Sequence, residues 1–164
     1  SRLHFDSDFD RRPLFRSRPF NSICKGAFAM SRDSSLGLLR NYYEAFNSGD
    51  MKRFLSYLDP EIIHDVNEGK SEVGISAFQA FMDRMNACYK EHLVDIRLMS
   101  DSGGENLAAR FIVEGTYLKT DAGLPEARGQ KYRIPAGAFF EVKNNRIRRM
   151  TMYYNLADWI KQVQ

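Results

Sequence analysis

The stretch Ile62-Ile63-His64-Asp65-Val66-Asn67 sets a carboxylate into a run of β-branched residues. Side chains alternate along a strand, so Ile63, Asp65 and Asn67 share one face and Ile62, His64 and Val66 the other. If the first face looks inward, Asp65 enters an apolar hollow. Desolvation then raises its pKa and makes it a general base near neutral pH. The competing reading is a surface aspartate beside a turn, because Asp is rarely buried. Tyr42 is the second candidate. It is either a core aromatic whose hydroxyl finds a surface or backbone partner, or a donor to an oxyanion developing in the hollow.

Other chemistries find no support. His4, His64 and His92 are scattered, and neither a His-Glu-x-x-His pair nor paired cysteines occur, so no metal site is expected. There is no glycine-rich phosphate loop and no Gly-x-Ser-x-Gly elbow, and no cofactor is expected. Cys88 reads as a buried structural thiol. Arg146, Arg148 and Arg149 read as a solvated edge that blocks strand pairing rather than as a nucleic-acid surface.

The elements that must position these residues follow from periodicity. Leu36, Leu39, Tyr43 and Phe46 recur at helical spacing and predict a helix over 34–47. Gly49 stops it, Asp50 caps a short helix over 51–58, and Pro60 ends that one. A strand over 61–67 turns at Asn67-Glu68-Gly69. Ile75, Phe78, Met82, Met85 and Tyr89 mark a third helix. Four strands follow without an intervening helix, over 92–100, 107–120, 130–142 and 146–155, with turn signals between them. Residues 156–163 close with a helical turn. Helices gathered at one end and strands at the other give the α+β class. The strands, 9–14 residues long, exceed the usual ~5–6, as a strongly curved antiparallel sheet requires. Such a sheet can wrap around the N-terminal helices and leave a hollow between them.

The chain has 164 residues and a net charge of +3, with 43% hydrophobic and 27% charged residues, which fits one globular domain. No apolar run approaches the ~18–20 residues that a spanning helix needs. Residues 1–29 hold six basic and three acidic groups, so the whole excess of +3 lies there and the remainder is balanced. The domain itself therefore offers no electrostatic footprint for nucleic acid. Residues 1–30 are expected to be a disordered or loosely packed extension preceding a domain over 31–164. The extension competes between an import signal, upstream sequence and an arm docking through its phenylalanines. A cytoplasmic location is expected, with organellar import through residues 1–29 as the alternative.

Tyr42-x-x-x-x-Asn47-x-Gly49-Asp50, then Asp65, then Gly74 opening a helix, resembles the ketosteroid isomerase and SnoaL-like branch of the NTF2-like superfamily. Over residues 36–163 the chain is more closely similar to the ketosteroid isomerase-related group. That similarity rests on His64-Asp65-Val66-Asn67-Glu68-Gly69, Gly123-Leu124-Pro125, Gly137-Ala138-Phe139-Phe140 and Tyr153-Tyr154-Asn155-Leu156-x-Asp158-Trp159. The resemblance implies a cone-shaped α+β barrel around an apolar pocket, commonly in a homodimer. Ketosteroid isomerase is a worked example of an aspartate base paired with a tyrosine and a protonated acid that hold the oxyanion. Carried over, Tyr42 falls on the tyrosine. Asp65 falls on the base, one residue closer to Asp50 than in the isomerase. Gly137 replaces the protonated acid and Met82 a supporting tyrosine. The resemblance thus implies proton transfer, of isomerase, cyclase or hydrolase type, on a small apolar molecule. Asp65 and Tyr42 would be catalytic, Asn67 would orient water or substrate, and Phe81, Met82, Met150 and Tyr154 would line the site. The alternatives are a non-catalytic ligand-binding or dimerisation module of the same fold, and an interaction scaffold using the tail.

Overall fold

A computed structural model describes residues 31–67 and 69–164; the expected extension over 1–30 lies outside the described residues. Ser31 opens α1 (Arg32–Ser48) with a reciprocal capping box to Ser34, which satisfies two otherwise orphaned helix-terminal groups. Gly49 ends it in the left-handed conformation at φ +73°, where a side chain would be strained. Asp50 then accepts from the Arg53 backbone N–H to cap α2 (Met51–Ser56).

The chain enters β1 (Leu58–Asp65) earlier than Pro60 suggests. The pairing of β1 shifts between Leu58 and Ile63, and that irregular segment accommodates the proline, which has no N–H to give a ladder. A tight turn returns the chain as β2 (Ser71–Val73), followed by α3 (Ile75–Cys88). Three long strands come next: β3 (Tyr89–Ser100), β4 (Asn106–Tyr117) and β5 (Lys131–Lys143). The fourth is β6 (Arg146–Tyr154), and α4 (Leu156–Val163) closes the described chain. Tyr89, counted above in the helical stripe, is instead the first strand residue. It pairs with Tyr117, and its ring stacks on that of Tyr117 at 5.3 Å beside Trp159.

The six strands form one sheet in the order β2-β1-β6-β5-β4-β3. The expectation of an antiparallel sheet needs one correction, since β1 runs parallel to β6. The chain returns from the far edge after five further elements and lays its last strand beside its first long one. The sheet is curved and unclosed. Its inner face carries the alternating buried series Tyr132, Ile134, Ala136, Ala138, Phe140 and Val142 of β5. The helices close over that face through Leu39, Tyr42 and Tyr43 of α1, Phe54 of α2, Phe78 and Met82 of α3, and Trp159 of α4. Burying these aliphatic and aromatic side chains is the main stabilising term, at ~25 cal/mol per Å² of apolar surface.

Candidate functional site

The two faces of β1 part company. Ile62 and His64 are only 0% and 2% exposed and point into the core. Asp65 lies on the opposite face. The register places it beside Thr151 and Ser71, while His64 sits beside Met150 and Glu72. Both Asp65 oxygens are engaged. Arg149 donates from Nε at 2.7 Å and from Nη2 at 3.2 Å, Thr151 Oγ1 at 2.7 Å and Ser71 Oγ at 2.6 Å.

The Arg149 guanidinium, with the Ser71 hydroxyl, therefore holds the Asp65 carboxyl well below the usual carboxylate range. This corrects the expected upward shift. Asp65 is a fully ionised fastener between β1, β2 and β6, not a desolvated base. Both faces of this strand carry isoleucine, so alternation left the inward choice open. The parallel pairing with β6, which brings Arg149 and Thr151 to the Asp65 side, settled it.

The inner wall brings other groups together. The Tyr42 ring is buried, stacked on Phe54 at 4.5 Å. Its hydroxyl donates to Met150 Sδ at 3.3 Å, and burial pushes the phenol pKa far up. A thioether is a weak acceptor, so this hydroxyl is held loosely for a buried group. Met150 in turn is the cross-strand neighbour of His64, and neighbouring strands lie only ~4.8 Å apart.

The His64 ring sits edge-on to Phe78 at 5.0 Å and to Phe81 at 4.6 Å. Its Nδ1 is buried without a hydrogen-bond partner, 3.8 Å from Glu72 Oε2, which is likewise buried and unpartnered. Desolvation lowers the His64 pKa more than the Glu72 charge raises it, so the imidazole is neutral at neutral pH. A neutral imidazole next to a carboxylate is a base with an orienting group, and the Tyr42 phenol, which meets the neighbouring strand at Met150, is a hydrogen-bond donor.

Of the other residues singled out by sequence, Phe81 and Met150 join this wall and Met82 is buried in the core. Asn67 and Tyr154 meet each other instead: the Asn67 amide reaches the Tyr154 carbonyl at 3.5 Å. His64 and Glu72 were missed as functional candidates. The available signal was the Ile62-His64-Val66 face, passed over because Asp65 carried the resemblance. Gly137 lies on the outer face, in register with Arg110 and Tyr153.

Among the described residues, clefts open of about 650 Å³ around Glu91 and Tyr132 and of about 370 Å³ around Arg110, Gly137 and Tyr153. Neither is lined by Tyr42, His64 or Asp65, and the expected apolar pocket coincides with neither. Among the described residues no group of three His, Cys, Asp or Glu side chains could hold a metal ion. No described helix is long and apolar enough to cross a membrane.

Comparison with known proteins places this geometry. Residues 39–150 match the model of the SnoaL-like domain. The structure of a candidate polyketide cyclase from Pseudomonas putida KT2440 is 49% identical, with a TM-score of 0.78, over 79% of this chain and 98% of that one. Another from Xanthomonas campestris pv. campestris is 46% identical, with a TM-score of 0.79, over 81% and 98%. An NTF2-like protein of unknown function from Burkholderia pseudomallei K96243, 16% identical with a TM-score of 0.68 over 80% and 98%, shares the fold. No curated protein matches the chain. The inner wall of His64, Tyr42 and Met150 is thus set in a protein that belongs to the SnoaL-like domain family and shares the fold of an NTF2-like protein.

Proposed function

We propose that this protein is a proton-transfer enzyme acting on a small, mostly apolar carbonyl compound, with His64 as the base, Glu72 as its orienting carboxylate and Tyr42 as the oxyanion donor. The observation that carries this reading is the buried His64, whose Nδ1 lies 3.8 Å from Glu72 without a hydrogen bond, on the strand next to the methionine whose thioether accepts from the Tyr42 hydroxyl. His64 takes a proton from the carbon next to the substrate carbonyl, and the C–H electron pair moves into the enolate. Tyr42 exchanges its sulfur acceptor for the enolate oxygen, a far stronger one. The proton on His64 is then returned, either to another carbon or to the alkoxide formed when the enolate closes a ring. The relatives named as candidate polyketide cyclases favour the ring-closing outcome. Room for the substrate comes from methionines: Met82, Met150 and Met152 all pack at the inner face, and their unbranched side chains rearrange cheaply.

The test is deuterium exchange at the α-carbon of 2-tetralone in D2O, followed by proton NMR. Wild-type protein accelerates the exchange, His64→Gln abolishes the acceleration, and Asp65→Asn keeps most of it. Exchange indifferent to His64 and lost with Asp65 would return the base to the outer face and overturn this assignment.

A second reading concerns assembly and rests on a separate observation. The outer sheet face exposes Phe139 at 57% and Tyr153 at 56%, packed edge to face at 6.0 Å, with Val73 and Met99 also exposed. A second copy covering this face would remove that apolar surface from water. Light scattering should give a dimer for the wild type and a monomer for the Phe139→Ser, Tyr153→Ser double variant.

A further inference from the structure

Four residues stand in one row across the outer face of the sheet. The register sets Arg97 of β3 opposite Arg110 of β4, Arg110 opposite Gly137 of β5, and Gly137 opposite Tyr153 of β6. Both arginines and the tyrosine are exposed. Like charges directly opposite on neighbouring strands repel. Neither arginine forms an ion pair or a side-chain hydrogen bond among the described residues. The carboxylates nearest in register are engaged elsewhere. Glu114 and Asp95 hold Arg133, and Glu141, further along β5, sits opposite Arg149.

Nothing in the packing requires glycine at 137. It does not lie in the left-handed region, and a Cβ there would meet the Ala109 carbonyl at 3.4 Å, an ordinary contact. Glycine inside a strand weakens it and often marks a place where a ligand comes close to the backbone. The groove of about 370 Å³ lies over this bare stretch, lined by Arg110, Pro135, Tyr153 and Asn155. Phe139 packs edge to face with the Tyr153 ring at 6.0 Å and steadies that wall.

We propose that this groove binds a planar aromatic carboxylate, its ring laid on the Gly137 backbone against Tyr153 and its carboxylate on Arg110, with Arg97 as the second cation. Neighbouring strands lie ~4.8 Å apart, so Tyr153 and Arg110 stand ~10 Å apart, about the length of a fused-ring carboxylate. A guanidinium presents a planar fork of donors that matches a carboxylate. An anion between the two arginines also offsets their mutual repulsion, and the tyrosine ring offers the aromatic contact. The site lies on the face opposite His64 and takes an anion rather than a neutral carbonyl compound, so it stands or falls apart from the proton-transfer reading.

The experiment titrates 2-naphthoate, 2-methylnaphthalene and 2-naphthylmethylammonium into the full chain, followed by backbone amide shifts. The naphthoate should shift the amides of Arg110, Gly137 and Tyr153 and leave those of His64 and Met150 in place. Read at the same amides, the hydrocarbon and the ammonium should each bind at least about tenfold more weakly, since both lack the anion. Salt at about 0.5 M should weaken the naphthoate several-fold. Arg110→Gln should lose about tenfold and Arg97→Gln about threefold. Gly137→Val fills the groove and should lose about tenfold while melting no lower than wild type, because a β-branched residue suits a strand. Should that variant fail to fold, Arg110→Gln decides. A second copy over Phe139 and Tyr153 would compete for the groove, so the titration is repeated in Phe139→Ser, which keeps the four residues of the row. Binding with this charge and residue dependence in either protein supports the proposal. It is overturned by the absence of naphthoate shifts at these amides in both proteins, by hydrocarbon or ammonium binding as tightly, or by undiminished affinity in Arg110→Gln or in folded Gly137→Val.

Discussion

Replacing His64 by leucine should spare the protein a loss of stability in acid. In the wild type Nδ1 is buried without a partner, and an unpaired buried polar atom costs ~1–3 kcal/mol. Leucine removes that cost but loses the ring contacts with Phe78 and Phe81, each worth ~0.5–1.5 kcal/mol. The two ring contacts together offset that gain, so the net change at pH 8 is within about 1 kcal/mol of zero.

The pH dependence is the sharper part. Desolvation lowers the His64 pKa in the folded chain from its ordinary 6.5. Below pH 6.5 the unfolded chain takes up a proton that the folded chain resists, so wild-type stability falls with acid and the variant escapes the fall. If the folded imidazole stays neutral, the gap between the two proteins widens by about 1.4 kcal/mol from pH 8 to pH 5.5. Glu91 works in the opposite direction, because its folded pKa is raised above 4.5 and acidification favours the folded form. It is present in both proteins and cancels in the difference. Asp65 titrates lower still and stays out of this window. Urea denaturation at pH 8, 6.5 and 5.5, followed through the single buried tryptophan, Trp159, reads the gap directly. A gap that stays constant or narrows toward pH 5.5 would refute the placement of a neutral, unsatisfied imidazole at this point.

Three further outcomes follow from the same contacts. Asp65→Asn should lower stability by about 1–2 kcal/mol at pH 7, modest because Arg149 is partly exposed. Since the folded Asp65 pKa is depressed, its stabilisation is present above pH 3.8 and lost as pH falls through the folded value, so acid melts of the two proteins should converge. Tyr42→Phe should change the melting curve by less than ~1 kcal/mol, its acceptor being only a thioether. The same change should slow tetralone exchange ~10²–10³-fold, the usual effect of deleting an oxyanion donor; an unchanged rate would take Tyr42 out of the chemistry. Gly115→Ala should cost about 1–3 kcal/mol in a thermal melt by driving the new methyl into the Tyr132 ring, and a wild-type melt would show that the ring lies elsewhere.

The helices were legible because their signals are local. Gly49 and Asp50 mark the end of α1 and the start of α2 at those positions, and of the stripe Ile75, Phe78, Met82 and Met85 the middle two are buried. The buried alternation of β4 and β5 likewise follows from period two. Non-local choices were not legible. Nothing near Ile62 says that β1 will pair with β6 in parallel, and that pairing decides that Asp65 meets Arg149 rather than the core. Tyr89 illustrates a related limit: its helical spacing from Met85 is real, but stacking on Tyr117 and Trp159 prevails. The Glu91–Tyr132 bond spans 41 residues and depends on the absence of a side chain at 115. Only assembled strands reveal such a gap.

The parallel seam between β1 and β6 also orders events during synthesis. Leu58 pairs with Ile147 and Asp65 with Thr151, so the first long strand waits for the last strand of the sheet before one of its edges is covered. Until residue 154 has left the ribosome, β1 and its short hairpin partner present an open backbone edge beside an unfinished core, the kind of edge to which other chains add. Loop closure over such a distance is slow. Nascent protein should therefore depend on shielding by a chaperone or on rapid completion of translation, and chains ending before β6 should accumulate as aggregate rather than as a smaller folded domain.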